Sequence, residues 1–217
     1  MYQSIIFDMD GIIINSEIVS YRMYQELLDQ YQHDFTLSDY AQNYSGKNGR
    51  QNMENLIKNY QLPLSLEEGL DFVTAIEEQF IQTGIETMPG VYELLSYLRD
   101  QNYEISLASS STRDRAVKLL TDNNIIDFFD HLTFGPEISH GKPAPDIFLL
   151  AHSKTQIPKD KTLVIEDSEA GLQAAFAAGI PAICVPDMKK PSQELLDQTA
   201  FKANSLTDVL TILQSKD

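Results

Sequence analysis

The chain has a single cysteine, Cys184, among its 217 residues. One cysteine allows no internal disulfide and no cysteine-based zinc site, and it fits a reducing cytosol. Basic residues are scarce as well: 16 Lys and Arg stand against 32 Asp and Glu, a formal charge of −16. Such a surface repels a nucleic-acid backbone and an anionic membrane, so neither is an expected partner. A small phosphorylated substrate remains compatible, because a local cation overrides net charge at short range. No segment approaches the roughly 18 consecutive apolar residues of a membrane span. Residues 1–4 lack the basic start of a secretory leader, and Asp8 and Asp10 interrupt the apolar run that follows. The expectation is a cytoplasmic protein, acting as a monomer. What the chain does have is core material. With 42% apolar residues it can bury a sizeable interior, and its length suits one domain carrying a large insertion.

The periodicity changes twice along the chain. Ser4–Phe7 is a short apolar run that ends in Asp8-Met9-Asp10-Gly11, a strand feeding a turn. Asn15 and Ser16 are good helix N-caps, and Tyr24, Leu27, Leu28 and Tyr31 then recur as the stripe of an amphipathic helix. Helical spacing continues to about Gln82, with breaks expected at Gly46–Gly49 and Leu62–Ser65. Beyond Met88-Pro89-Gly90, strands alternate with helices. The strands are predicted at Glu104–Ala108, near Leu132–Phe134, at Thr162–Ile165 and at Ala182–Val185. This alternation implies βαβ units and a parallel sheet covered on both faces. The expected fold class is α/β, with a core of residues 1–15 and 84–217 interrupted by an all-helical insert of residues 16–83.

Four polar clusters follow four of the predicted strands: Asp8 with Asp10, Ser109–Ser111, Lys142, and Glu166-Asp167. In open α/β sheets ligands bind beyond the carboxyl ends of the strands, so the clusters fall where one site can form. Each has an ordinary reading alone, as a turn, a helix cap or an exposed lysine. Together they suit phosphoryl transfer. A carboxylate is a competent nucleophile toward phosphorus, and a lysine and a divalent cation offset its repulsion from an anionic phosphate. Carboxylates from Asp8 and Asp167, a backbone carbonyl and waters make an oxygen shell suited to Mg²⁺. Ser109, Ser110 and nearby N–H groups can hold phosphoryl oxygens, and Lys142 can neutralise their charge. Asp10 can protonate a leaving alcohol and later deprotonate water.

The run Phe7-Asp8-Met9-Asp10-Gly11 through Ser16-Glu17 resembles the first motif of haloacid-dehalogenase-superfamily phosphotransferases. Ser109, Lys142 within Gly-Lys-Pro-Ala-Pro-Asp146, and Glu166-Asp167-Ser-Glu-Ala-Gly171 are similar to the other three motifs, in order. The resemblance implies a Rossmann-like core, a helical cap inserted after the first motif, and Mg²⁺ as cofactor. It also implies Asp8 as nucleophile, Asp10 as acid/base, and a metal held by Asp8, the Asp10 carbonyl and the Glu166-Asp167 pair, with Glu166 binding directly or through water. The nearest branch is the β-phosphoglucomutase-like group, which contains mutases and phosphatases.

Two departures from that group bear on activity. Asn15 stands where an Asp is usual, and either residue caps a helix. Mutases of the group carry a histidine early in the first cap helix, whereas Glu17–Arg22 has none. The implied activity is therefore a phosphatase acting on a small phosphorylated metabolite through an aspartyl-phosphate, with a hexose-phosphate mutase as the alternative. A non-catalytic phospho-acceptor module is a more remote third, since receiver modules are about half this length and lack a helical insert. In the cap, Lys47 and Arg50 of Tyr44–Arg50 are the candidate substrate contacts. His33, His131, His140 and His152 are expected to be solvated or packed, Cys184 buried and inert, and Arg113 and Arg115 surface helix residues.

Overall fold

The computed structural model describes residues 2–215. They divide into two compact units, one built from the chain up to Asn15 and from Glu86 onward, the other from Ser16–Ile85. The chain enters the first unit through β1 (Ser4–Phe7), whose four residues are all buried, and then passes into the second.

The second unit is helical throughout: α1 (Ser16–Gln30), α2 (Leu37–Asn43), α3 (Gly49–Tyr60) and α4 (Leu66–Thr83). Its helix starts follow local chemistry. The Asn48 side chain accepts from Gln51 N to cap α3, and Ser65 and Glu68 form a reciprocal capping box at α4. The two expected breaks are where the glycines and the Leu62–Ser65 stretch place them. A third break, after α1, was not anticipated. It turns on Gln32 in the left-handed region (φ 60°), a conformation usually left to glycine or asparagine, and is followed by a Thr36–Asp39 capping box. Helix α4 packs on α1 and α3. Tyr21, Tyr24, Phe35, Tyr40, Tyr44 and Tyr60 make a connected set of ring contacts in the interior of this unit.

The first unit resumes with α5 (Val91–Asp100), β2 (Glu104–Ser109), α6 (Arg113–Asp122), β3 (His131–Phe134), α7 (Asp146–Ser153), β4 (Thr162–Glu166), α8 (Glu169–Ala177), β5 (Ala182–Cys184), α9 (Gln193–Leu196), β6 (Phe201–Lys202) and α10 (Leu206–Gln214). The six strands form one sheet in the order β3-β2-β1-β4-β5-β6, and every neighbouring pair is parallel. Strand β1 lies between β2 and β4, so all four of its residues are buried and three of them, Ile5, Ile6 and Phe7, are apolar, as suits a strand covered from both sides. One face carries Ile6, Ala108 and Val164 against Ile147, Phe148 and Leu172 of α7 and α8. Helix α5 packs on β2, and α10 packs on α5. The chain builds outward from β1 to β2 and β3, then returns to add β4, β5 and β6 on the other side. The order thus reverses at β1, the switch point beyond which a doubly wound sheet opens a ligand crevice.

Candidate active site

The sheet register sets the site. Phe7 is level with Leu107 in β2 and with Ile165 in β4, and Asp8 N donates to Ile165 O at 3.0 Å. Asp8, Ser109 and Glu166 therefore emerge at the carboxyl end of three adjacent strands. The loop after β1 is tightly wound, with Ile13 N and Ile14 N both donating to Met9 O at 2.8 and 2.9 Å. Gly11 sits in it at φ +81°, and a Cβ there would stand 2.6 Å from Asp167 Oδ2. Both the backbone angle and the space above it require glycine.

Lys142 reaches this point from the loop before α7. Its Nζ donates to Asp8 Oδ1 at 2.6 Å and to Glu166 Oε1, and it lies 5.0 Å from the centre of the Phe148 ring. Glu166 is fully buried, and its other oxygen accepts from Ser168 N at 2.7 Å and Ser168 Oγ at 3.0 Å. Ser168 Oγ in turn accepts from Gly171 N at 3.1 Å, which caps α8. Glu166, the last residue of β4, thus anchors the lysine and also holds the serine that caps α8.

Gly171 is what makes room for this arrangement, since a Cβ there would overlap the Glu166 carboxylate. Gly171→Ala is expected to displace that carboxylate, destabilise the protein by about 1–3 kcal/mol and loosen Lys142. A thermal melt checks it. An unchanged midpoint would contradict the close packing described here.

Asp8, Glu166 and Asp167 each offer an oxygen within 4.8 Å of the others. Burial, with the neighbouring Glu166 and Asp10 charges adding to it, pushes the Asp8 carboxyl up to about 7 against the opposing pull of Lys142. Burial, then the charges of Glu166 and Asp8, raise Asp167 well above the ordinary carboxylate range. Burial by itself lowers the affinity of Lys142 for its proton, but Asp8 and Glu166 more than offset it, and the ammonium is held above its usual value. An all-oxygen set of crowded buried carboxylates is the donor chemistry that a hard divalent cation satisfies. The cluster can therefore hold a metal ion.

The other expected residues take distinct places. Ser109 is fully buried, and its Oγ accepts from Ser111 N at 3.1 Å at the start of the loop after β2. Ser110 stands exposed on the same loop. Asp10 is turned toward α6, where Arg115 Nη1 donates to its two oxygens at 3.0 and 3.3 Å. This corrects the reading of Arg115 as a surface residue: its side chain is only 20% exposed. Asp187, which has no counterpart among the residues expected from the sequence, has its carboxylate on the same side of Gly11 as Asp167 and adds to the negative field there. It follows β5 as the other clusters follow their strands, and that position was its available signal. Lys47 and Arg50 belong to the helical unit, where Lys47 donates to Asn43 O and Arg50 pairs with Glu54 and Glu67. The histidines behave as expected, His131 against Glu104 and His140 against Asp146, with His152 on Ile157 O. Cys184 is buried, and burial beside Asp167 and Glu166 pushes its thiol up to about 12.

Residues 5–185 match the family described as haloacid dehalogenase-like hydrolase. A phosphorylated carbohydrates phosphatase of Thermotoga maritima is 27% identical over 213 residues, covering 98% of each chain. The β-phosphoglucomutase of Bacillus subtilis is 28% identical over 193 residues, 84% of this chain and 83% of that one. Among solved structures, a candidate β-phosphoglucomutase from Thermotoga maritima superposes with a TM-score of 0.83 at 26% identity, covering 99% of both chains.

Proposed function

The chain is an enzyme of the haloacid dehalogenase-like hydrolase family, and from that premise we propose that it is a Mg²⁺-dependent phosphatase of small phosphorylated metabolites, sugar phosphates foremost. The observation that carries this reading is the arrangement around Asp8, a buried carboxylate at the switch point whose charge is balanced by Lys142 and crowded by Glu166 and Asp167. Lys142, together with a divalent cation on the carboxylate cluster, would offset the repulsion between such a group and a phosphate dianion.

In the proposed reaction the Asp8 carboxylate attacks phosphorus, and the bond from phosphorus to the ester oxygen breaks. Asp10 gives its proton to the departing alkoxide, leaving a phosphoryl group on Asp8. Water then attacks that phosphorus, Asp10 takes the proton, and the bond from Asp8 to phosphorus breaks to release inorganic phosphate. Ser109 and the N–H groups of its loop bind phosphoryl oxygens, and Lys142 neutralises charge on Asp8 and on the transferred group. Glu166 serves chiefly as the anchor of Lys142, because hydrogen bonds already engage both of its oxygens. Mg²⁺, held by Asp8, Asp167 and the Asp10 carbonyl, with Glu166 behind them, would supply further positive charge at the transferred group. Lys47 and Arg50 are the proposed cap contacts to the leaving group.

A hexose-phosphate mutase would share the first half of this chemistry, and the Bacillus subtilis relative is named as one. The missing histidine in Glu17–Arg22 favours transfer to water instead. Purified protein incubated with β-glucose 1-phosphate and a trace of glucose 1,6-bisphosphate tests the choice. Phosphate release is expected, and glucose 6-phosphate accumulating faster than phosphate would establish the mutase.

The carboxylate cluster also fixes a pH dependence. Asp8 binds its proton more tightly in the folded state, so the associated stability is present at low pH and is lost as pH rises through about 7. Asp167 shifts in the same direction. Mg²⁺ competes with those protons, so it should raise the melting temperature more at about pH 8 than at about pH 5. Melts with chelator and with Mg²⁺ at both pH values check this. Equal shifts, or none, would show that the cluster is not the binding site.

A further inference from the structure

We infer that Arg115 is a positioning residue for Asp10, holding the Asp10 carboxylate in one orientation and tying it to the phosphate-binding loop after β2. The inference rests on the phosphatase reading above, since it gives Arg115 a role only through the acid/base work of Asp10.

The geometry is specific. Ser111 lies in the loop just before the Thr112 cap of α6, and Arg115 lies in the first turn of that helix. Its Nη1 donates to Ser111 Oγ at 2.6 Å and to Asp10 Oδ1 and Oδ2 at 3.0 and 3.3 Å. One nitrogen therefore joins the loop after β1, which carries the acid/base, to the loop that follows Ser109 at the end of β2. Arg113 of the same turn takes a different course, over the Phe134 ring at 5.4 Å. The inward turn of Arg115 is therefore a property of that residue and not of the helix end.

Two roles fit a cation here: to bind substrate phosphate, or to fix Asp10. The structure favours the second. Asp8 and Glu166 already have Lys142 as their cation. The Arg115 nitrogen is spent on Asp10 and Ser111, and the Asp10 side chain is 38% exposed. A carboxylate that open would otherwise sample several rotamers, and proton transfer needs one oxygen within hydrogen-bond reach of the ester oxygen or the attacking water.

The test is a double-mutant cycle on p-nitrophenyl phosphate and an alkyl phosphate, with circular dichroism and melting temperature as fold checks. Arg115→Met should lower kcat about tenfold or more while KM stays within about threefold. Arg115→Lys should recover part of the loss. In an Asp10→Asn background, Arg115→Met should add essentially nothing, because its effect passes through the group already removed. Ser111→Ala gives a second approach should Arg115→Met fold poorly, with a smaller loss that also vanishes beside Asp10→Asn. An effect of the same size in both backgrounds, or a loss confined to KM with weaker inhibition by inorganic phosphate, would make Arg115 a substrate ligand and overturn the inference. So would wild-type kcat in Arg115→Met. If the wild-type protein released phosphate from no ester, the phosphatase reading itself would fall, an outcome distinct from any of these.

Discussion

Asp8→Asn should fold as the parent does and turn over phosphate esters at less than about a hundredth of the wild-type kcat. The side chain is nearly isosteric, and the lost charge was itself a burden on the fold, since burial and two neighbouring carboxylates oppose it. Stability should therefore hold or rise. Lys142 keeps Glu166 as a partner in the variant, so its ammonium is not left unpaired. Activity, by contrast, depends on a carboxylate oxygen with electrons to give, and an amide offers none of comparable nucleophilicity. Steady-state assays on protein prepared free of host phosphatase and of Asn-to-Asp reversion decide the matter. Retention of more than about a hundredth of wild-type kcat would remove Asp8 from the role of nucleophile.

Asp10→Asn should have an effect nearly as large, but one divided by leaving group. An alkyl phosphate needs its oxygen protonated as it departs, so loss of Asp10 slows formation of the phosphoenzyme by about 10²–10⁴. p-Nitrophenyl phosphate has an acidic leaving group that departs unaided. Its first step should survive, while hydrolysis of the aspartyl-phosphate, which still needs a base, becomes limiting. Rapid mixing should then show a burst of nitrophenol close to one per site, followed by slow release of phosphate. Equal losses in kcat/KM for both substrates without a burst would assign Asp10 to holding the loop instead of moving protons.

The parts of this molecule that could be read in advance are those governed by local rules. The strands expected at Ser4–Phe7, Glu104–Ala108, Thr162–Ile165 and Ala182–Val185 form within one residue of those bounds, and apart from Glu104 the residues of these runs are buried because their sheet is covered on both sides. The glycines at 11 and 171 were legible as parts of motifs, and the structure supplies their reason, the closeness of Asp167 and Glu166. Strand β6 escaped because Phe201–Lys202 is only two residues at a sheet edge, and no periodicity can be seen in two residues. Helix α9, four residues long, escaped for the same reason. The turn at Gln32 has neither glycine nor proline to mark it. Arg115 was misread because an arginine in the first turn of an amphipathic helix normally faces water. Only the fold brings Asp10, 105 residues away, within reach of it. Contacts of that kind depend on strand order, and strand order is a property of the whole chain.

The site of phosphoryl attachment is the most direct test of the account. Asp10→Asn protein mixed with p-nitrophenyl phosphate and Mg²⁺, quenched in acid during the burst and digested, should carry one phosphoryl group on the peptide that contains Asp8, and Asp8→Asn treated alike should carry none. A burst of nitrophenol with the phosphoryl group on any other residue, or with no covalent phosphate at all, would contradict it.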